Sequence, residues 1–171
     1  TLPPRDKYVL VAAPHTSNWD FVLGLLAIWA IGLRCSWVGK HTLFKGPFGP
    51  IMRSLGGIPV DRMGSTGFIK KVIDIFASRD QFVLAIAPEG TRSLTKVWKE
   101  GFYRIALAAD VPIALGYIDF PSKQIGIDRL FEPSGDVAAD FAILQEYYQD
   151  KVGKCPEKQG PVTIRGAANG K

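Results

Sequence analysis

Two apolar runs of the same form constrain the fold of this chain more than any other feature. The run Tyr8-Val9-Leu10-Val11-Ala12-Ala13 is followed by Pro14, and the run Phe82-Val83-Leu84-Ala85-Ile86-Ala87 is followed by Pro88. Short, continuous apolar runs that end at a proline are typical of strands buried on both faces of a parallel sheet. An ionisable residue follows each proline, His15 in the first case and Glu89 in the second. Because ligands collect at the carboxyl ends of strands in α/β sheets, both residues are predicted at one rim.

The rest of the chain alternates strand and helix patterns, which predicts an α/β fold: a single domain with a mostly parallel mixed sheet flanked by helices. The 171 residues, of which 47% are hydrophobic and 22% charged, suffice for one core. Residues 1–153 are predicted to form this domain and residues 154–171 a loosely ordered tail, with only Val162-Thr163-Ile164 able to pair as an edge strand. The predicted strands are 7–13, 34–39, 81–87, 112–118 and 125–130, and the predicted helices are 18–32, 51–55, 68–78, 100–109 and 136–151.

The stretch His15-Thr16-Ser17-Asn18-Trp19-Asp20 joins the first strand to the first helix. A histidine near its unperturbed pKa can take a proton at neutral pH, and a carboxylate on the far ring nitrogen fixes its tautomer. Residues five apart on one helix do not share a face, so His15 and Asp20 can pair only if His15 lies in the loop. The alternative is a capping box, with Ser17 as N-cap and Asp20 returning a hydrogen bond. The two interpretations are compatible.

The net charge indicates what kind of partner the chain binds, and the cysteine spacing indicates whether it carries disulfides or a metal site. The net charge of +5 suits an anionic partner, such as a phospholipid, a phosphorylated substrate, coenzyme A or an acidic carrier protein. A nucleic-acid partner is not expected, because the chain has no long Lys/Arg run and no zinc-ligand spacing. Cys35 and Cys155 belong to no CxxC motif and are predicted to be free thiols, and no metal site is expected.

The third candidate motif is Glu89-Gly90-Thr91-Arg92-Ser93, which follows the second apolar run. Arg92 could bind a phosphate with two parallel hydrogen bonds, while the Thr91 hydroxyl and the loop amides add donors. A glycine turn of this kind can also do no more than connect two elements. Asp61-Arg62 offers a second phosphate contact, or else an ion pair or a solvated face. The sequence contains neither a P-loop nor the GxSxG turn of a serine hydrolase.

Membrane contact is predicted for two segments. Residues 21–33 carry no charge, but thirteen helical residues span only about 20 Å, too short for a hydrocarbon core of about 30 Å. In the loop that follows, Lys40, Lys45 and Arg53 alternate with apolar side chains, as on a surface that touches an anionic bilayer. A loop that packs on its own core carries the same mixture. The chain begins at Thr1, which leaves open whether an anchor precedes it.

Four blocks in a fixed order carry a family resemblance. They are His15 with Asp20, Gly57-Ile58-Pro59-Val60-Asp61-Arg62, Glu89-Gly90-Thr91-Arg92-Ser93, and Val111-Pro112-Ile113. This order resembles the four motifs of the glycerolipid acyltransferase family, which includes 1-acylglycerol-3-phosphate acyltransferases. The resemblance runs from His15 to Ile113 and implies a glycerol-3-phosphate acyltransferase-like fold. Two departures from the family pattern, Pro14 before the histidine and Thr42 two places after Lys40, leave the acceptor open.

The resemblance implies transfer of a fatty acyl group from an acyl-CoA or acyl-carrier-protein thioester to a lysophospholipid hydroxyl. His15 is then the general base and Asp20 the residue that orients it, with no cofactor, no metal and no acyl-enzyme serine. The residues expected to bind the substrate are Glu89, Gly90, Thr91, Arg92, Asp61, Arg62 and Lys40. The expected location is cytoplasmic, peripheral at the inner face of the cell membrane, with an acyl carrier protein as a further candidate partner. The alternatives are another acceptor such as a lipoamino acid or a sugar, a thioesterase, and a non-catalytic lipid-binding protein.

Overall fold

The computed structural model describes residues 5–60 and 65–164 of the chain. Over these residues the fold is a single α/β unit, as the sequence predicted, built on a six-stranded sheet. The elements in chain order are β1 (Lys7–Ala13), α1 (Asn18–Ala30), β2 (Cys35–Lys40), α2 (Gly49–Ser54), β3 (Gly57–Val60), α3 (Ser65–Ser78), β4 (Phe82–Ile86), α4 (Gly101–Ala109), β5 (Ile113–Asp119), β6 (Gln124–Phe131) and α5 (Val137–Tyr148). Short 3₁₀ turns lie at His41–Phe44 and Pro156–Lys158.

The strand order is β3-β2-β4-β1-β5-β6, and only β6 is antiparallel to its neighbour. The two strands of the repeated apolar run, β1 and β4, are adjacent and parallel, with Val11 opposite Ile86. Both therefore end at the same edge of the sheet, and the residues that follow them leave the sheet side by side. This arrangement brings together segments that are more than seventy positions apart in the sequence.

Alternation along β1 divides the core between the two faces of the sheet. Val9 and Val11 pack with α3, α4 and α5 in the larger cluster of buried side chains. Tyr8 and Leu10 belong to a smaller cluster on the opposite face, which is the face that α1 covers. One face is therefore filled by three helices, while the α1 face holds few large buried side chains.

The sequence did not predict a strand at β3. Glycine and proline are uncommon in strands, and Gly57-Ile58-Pro59-Val60 contains both. In the structure β3 pairs with β2 alone, with Gly39 opposite Pro59. Because a proline cannot donate to a second neighbour, it is tolerated on such an edge strand.

The predicted loose tail differs from the structure over residues 154–164, which pack against the domain. The Cys155 amide donates to Thr16 Oγ1 at 3.1 Å, and the Gln159 side chain bonds the backbone at Lys151 and Gly153. Ile164 is buried in the larger core cluster. Val162-Thr163-Ile164 forms no strand, although the Trp98 amide donates to the Thr163 carbonyl. Specific side-chain hydrogen bonds order a segment whose Gly, Pro and Lys content indicated a loose one.

Candidate active site

The loop between β1 and α1 places His15 next to Asp20. Because α1 begins at Asn18, His15 stays in the loop and turns back, so that its Nδ1 lies 3.4 Å from Asp20 Oδ2. The Asp20 carboxylate also accepts from the Thr16 and Ser17 amides, both at 2.7 Å, and from the Ser17 hydroxyl at 2.9 Å. One carboxylate thus caps the first turn of α1 and faces the imidazole. The capping and pairing interpretations hold together.

The surroundings of Asp20 keep its carboxyl ionised. Burial alone raises its pKa, but the hydrogen bonds from His15, Ser17 and Thr16 outweigh burial and lower the pKa below its ordinary value. A carboxylate on Nδ1 places the other ring nitrogen, Nε2, on the edge of the imidazole away from Asp20. Two cavities, a larger and a smaller one, meet at His15, which lines both of them. The His15 side chain is 23% exposed.

Glu89 lies beneath the same loop. Its Oε1 accepts a 2.9 Å hydrogen bond from the His15 backbone amide, while its Oε2 is buried and has no hydrogen-bond partner. Burial raises the pKa of this carboxyl, against the lowering effect of its backbone hydrogen bonds and of the His15 charge. The structure confirms that His15 and Glu89 share one rim. Glu89 lines neither cavity, and its carboxyl faces the His15 backbone.

The remaining residues of the third motif do face the larger cavity, which Gly90, Thr91 and Arg92 help to line. The Arg92 guanidinium donates to the side-chain oxygen of Asn18, the first residue of α1. Thr91 Oγ1 accepts from the Ser93 amide at 3.2 Å, which shapes the turn. Gly90 has a φ of +64°, a conformation that favours glycine.

The larger cavity has a volume of about 750 Å³ and carries positive charge. Lys40, Arg92 and Lys99 line it, and all three are exposed. Lys40 is the last residue of β2, while Lys99 approaches from the loop before α4, where its side chain passes Gly90. Sequence reasoning missed Lys99, because a single lysine in a polar linker carries no motif. An anionic group in this cavity would meet cations from three separate segments.

A second cavity of about 210 Å³ lies between α1 and the sheet, and its lining is almost entirely apolar. His15 and Asp20 lie at one end of it, and Phe21, Leu25 and Trp37 contribute to its wall. Phe44 lines neither cavity but stacks on the Trp37 ring at 5.7 Å between centroids. His15 is thus shared by an apolar cavity and a basic one.

Two of the expected substrate-binding residues, Asp61 and Arg62, lie outside the described residues. Val60, which precedes them, lines the larger cavity. Over residues 5–60 and 65–164, no three His, Cys, Asp or Glu side chains are grouped as a metal ion would require.

The outer face of α1 is apolar and exposed. Trp19, Val22, Leu26 and Trp29 recur at helical spacing on this face, and between 43% and 58% of each is exposed. Phe48, just before α2, and Ile51, within it, are also exposed. They lie close in the sequence to the positive charges of Lys45 and Arg53. Within the described part of the chain, no helix has the length and apolar content needed to cross a bilayer.

Comparisons with known proteins agree on one family. The sequence model of the Acyltransferase family matches residues 2–115, about two thirds of the chain. The 1-acyl-sn-glycerol-3-phosphate acyltransferase of Escherichia coli (strain K12) is 31% identical over an alignment of 125 residues, and the match covers 69% of this chain and 49% of that protein. The chain therefore spans about half the length of this relative.

The fold has a match among solved structures. The crystal structure of the 1-acyl-sn-glycerophosphate (LPA) acyltransferase PlsC from Thermotoga maritima superposes with a TM-score of 0.54 at 21% sequence identity. The match covers 86% of this chain and 64% of that one. At this identity the likeness concerns the fold.

Proposed function

This chain belongs to the acyltransferase family, and from that premise we propose that it moves a fatty acyl group from an acyl thioester to a lysophospholipid hydroxyl. We propose 1-acylglycerol-3-phosphate as the acceptor and acyl-CoA or an acyl carrier protein as the donor. The observation that carries the proposal is the position of His15, at the end of an apolar cavity and on the wall of a basic one.

The proposed chemistry begins with proton removal. Nε2 of His15 takes the proton of the acceptor hydroxyl as its oxygen attacks the thioester carbonyl carbon. The tetrahedral intermediate then collapses, the C–S bond breaks, and the imidazolium returns its proton to the leaving thiolate. Asp20, 3.4 Å from Nδ1, holds the ring in the required tautomer and stabilises the imidazolium. General base catalysis of this kind contributes about 10² to 10⁴ in rate.

The basic cavity suits the acceptor headgroup. Lys40, Arg92 and Lys99 approach from three segments, so a phosphate monoester there gains charge-assisted hydrogen bonds. Arg92 also contacts Asn18, which keeps the guanidinium near the start of α1 and therefore near His15. The expected roles of Gly90 and Thr91 fit the same cavity. Glu89 instead faces the His15 backbone.

The apolar cavity suits the acyl chain of the donor. Its wall is built from α1 on one side and from β1, β2, β4, β5 and β6 on the other, with few polar atoms. A thioester whose chain enters beneath α1 would present its carbonyl carbon at the His15 end. The coenzyme or carrier would then remain on the solvent side.

We also propose that the protein works at the cytoplasmic face of a membrane, held by the outer face of α1. Tryptophan side chains such as Trp19 and Trp29 partition to the headgroup region of a bilayer. The net charge of +5 favours the anionic lipids of that face. A lysophospholipid acceptor is itself a membrane component, so docking brings the site to its substrate.

One assay tests the transfer and its base together. Release of free thiol from palmitoyl-CoA by the purified chain would be followed with and without lysophosphatidic acid, and repeated with a palmitoyl carrier protein. Wild type should release thiol only with the acceptor, while His15→Ala and Asp20→Asn should lose at least about 10² in rate. The control is His41→Ala, which removes the other histidine of the chain and should retain activity.

Each contrary outcome has a defined meaning. Full activity in folded His15→Ala would refute the proposed base. Thiol release without an acceptor would indicate a thioesterase, and activity only with a lipoamino acid or a sugar would indicate another acceptor. Vesicle binding without transfer from either donor would indicate a lipid-binding protein.

A further inference from the structure

Residues 152–164 pack against two loops that carry residues of the candidate active site. The first loop joins β1 to α1 and holds His15, and the second precedes α4 and holds Lys99. The 152–164 segment contributes no residue to the lining of either cavity. It can therefore influence the chemistry of the site only through the two loops that it contacts.

The contact with the first loop is centred on Thr16, the residue that follows His15. The Cys155 amide donates to Thr16 Oγ1 at 3.1 Å, while the Thr16 amide donates to the Asp20 carboxylate at 2.7 Å. A Cβ on Gly153 would lie 2.7 Å from Thr16 Oγ1 and 2.8 Å from its methyl group, closer than real Cβ atoms approach a neighbour. The backbone of the segment thus lies directly against a residue that is bonded to both members of the catalytic pair.

The contact with the second loop is made by Thr163 and Gly160. The Thr163 carbonyl accepts from the Trp98 amide at 2.6 Å, and the Thr163 hydroxyl donates to the Lys96 carbonyl at 2.8 Å. A Cβ on Gly160 would overlap the carbonyl oxygen of Thr95, so only a glycine allows the two backbones to lie this close. The lysine that lines the basic cavity follows Trp98 directly, and its place depends on the path of this loop.

The two contact points belong to one braced piece of chain. The Phe120 amide donates to the Val152 carbonyl at 3.0 Å, and the Val152 amide donates to the Asp119 carboxylate at 2.9 Å, which fixes the start of the segment at the end of β5. The Gln159 side chain then accepts from the Gly153 amide at 2.8 Å. Because Gln159 precedes the glycine at the second loop, this bond links the two contact points to each other.

We propose that the 152–164 segment is a positioning element of the active site, with a separate effect at each loop. Its contact with Thr16 holds the imidazole of His15 in place for attack by the acceptor hydroxyl. Its contacts with the second loop hold the ammonium group of Lys99 in the basic cavity, where the acceptor phosphate is proposed to bind. This inference rests on the proposed function, since it takes from there the parts that these two residues play.

The test compares Gly153→Ala and Gly160→Ala in the thiol-release assay with palmitoyl-CoA and lysophosphatidic acid. Gly153→Ala should lower kcat by about tenfold to hundredfold and leave the KM of the acceptor nearly unchanged, since small displacements of reacting groups cost this much. Gly160→Ala should raise the KM of the acceptor by about tenfold, as expected for one weakened charge-assisted hydrogen bond, with kcat nearly unchanged. A merely structural role would lower the active fraction in both variants and would leave KM unchanged.

The matched control is Gly67→Ala, which adds the same methyl group at an exposed position of α3 with open space around it, and it should change neither parameter. Circular dichroism checks that each variant is folded. Thr163→Val replaces Gly160→Ala if the alanine variant is not, and Thr163→Ser should then restore the KM. Thr16→Val replaces Gly153→Ala in the same way. The same kinetic change in the variants at both loops, or no change at either, would overturn the inference.

A labelling measurement separates this inference from the proposed function. Pyridoxal phosphate joins a phosphate to an aldehyde that condenses with lysine amines, and reduction with borohydride followed by peptide mass spectrometry identifies the lysines modified. Lys40 and Lys99 should both be labelled in wild type, because both line the basic cavity. Gly160→Ala should lose the label at Lys99 and keep it at Lys40, which belongs to β2.

The labelling result stands whether or not the protein transfers an acyl group. If wild type shows no transfer but Gly160→Ala loses the label at Lys99, the proposed function fails while the positioning role stands. Equal labelling of Lys99 in the two proteins, or none in wild type, would refute the positioning role even if transfer is observed.

Discussion

The backbone amide of His15 is bonded to Oε1 of Glu89 at 2.9 Å, across 74 positions of the sequence. This hydrogen bond ties the loop after β1 to the loop after β4, the neighbouring parallel strand. A buried carboxyl therefore holds the backbone of the histidine that lines both cavities. Glu89 is suited to positioning His15 rather than to touching the substrate.

We predict that Glu89→Ala lowers kcat and leaves the KM of the lysophospholipid nearly unchanged. The alanine removes the acceptor for the His15 amide and leaves a buried N–H group without a partner, which costs about 1–3 kcal/mol. Glu89→Gln keeps an oxygen for that amide and should retain most of the activity. Steady-state kinetics in both substrates distinguishes the effects. A selective rise in the KM of the acceptor would restore the substrate-binding role that the sequence predicted.

The raised pKa of Glu89 predicts a pH dependence of stability. The folded state holds this proton more tightly than the unfolded state, so the contribution of neutral Glu89 is complete below its ordinary pKa of 4.5. The contribution is lost as the pH rises through the folded pKa. Glutamine is neutral throughout, so Glu89→Gln should gain stability relative to wild type as the pH increases above about 4.5. Urea unfolding at a series of pH values measures this, and a constant difference between the two proteins would contradict it.

We predict that Arg92→Ala raises the KM of the lysophospholipid by about tenfold or more, as expected for a charge-assisted hydrogen bond of about 1.5–3 kcal/mol. The KM of the thioester should change much less, because the apolar cavity does not include Arg92. Arg92→Lys should recover only part of the loss, since lysine keeps the charge without the planar fork. Arg104→Ala is the control, because Arg104 is exposed, pairs with Glu100 and lines neither cavity. A larger effect on the thioester would contradict the phosphate role.

Thr16 contacts the C-terminal segment, residues 154–164, and we predict that removing this contact by substitution lowers the stability of the protein. Thr16 is 2% exposed, and its Oγ1 accepts from the Cys155 amide at 3.1 Å. Thr16→Val keeps the shape but leaves that amide unpaired, at a cost of about 1–3 kcal/mol in the free energy of unfolding. Thr16→Ser keeps the hydroxyl and should lose less. Equal unfolding midpoints in urea for the valine variant and wild type would show that residues 154–164 contribute little.

We predict that Trp29→Glu weakens binding to vesicles that contain phosphatidylglycerol by about tenfold or more. Trp29 is 58% exposed on the outer face of α1, and a carboxylate there meets both the apolar region and the anionic headgroups. The control is Ile143→Glu, which adds the same charge at an exposed position of α5, on the opposite side of the sheet. Co-sedimentation with vesicles measures both variants. Equal losses in the two would contradict docking through α1.

The parts of the fold that the sequence predicted are those whose signal is local. The apolar runs of β1 and β4 and the spacing of Phe141, Leu144 and Tyr148 in α5 each identify an element without its partners, and the structure agrees. β3 was missed because Gly57 and Pro59 disfavour a strand in isolation. Only pairing with β2, a tertiary interaction, stabilises a strand there.

The same distinction between local signals and tertiary interactions applies to the residues of the candidate site. The repeated Ala-Pro endings predicted that His15 and Glu89 would share one rim, since adjacent parallel strands end at one edge. No pattern in the sequence predicts that Glu89 would approach the His15 amide rather than the cavity, because that depends on the direction of one side chain. Lys99 joins Lys40 and Arg92 only through the path of the loop before α4, and Gly160 reaches that loop only in the assembled fold.

The apolar character of α1 on both faces has a kinetic consequence. A helix is about 10–12 Å across, and here it alone separates the interior cavity from the surface proposed to meet the membrane. An acyl tail that passes around this partition exchanges one hydrocarbon environment for another, so it avoids the cost of about 0.8 kcal/mol per CH₂ of entering water. The activation energy for entry of the acyl tail into the cavity should then depend on the displacement of a single helix and hardly on the number of carbons in the tail. Long chains and short ones would enter at similar rates, and selection between them would occur afterwards, by whether the carbonyl reaches the histidine.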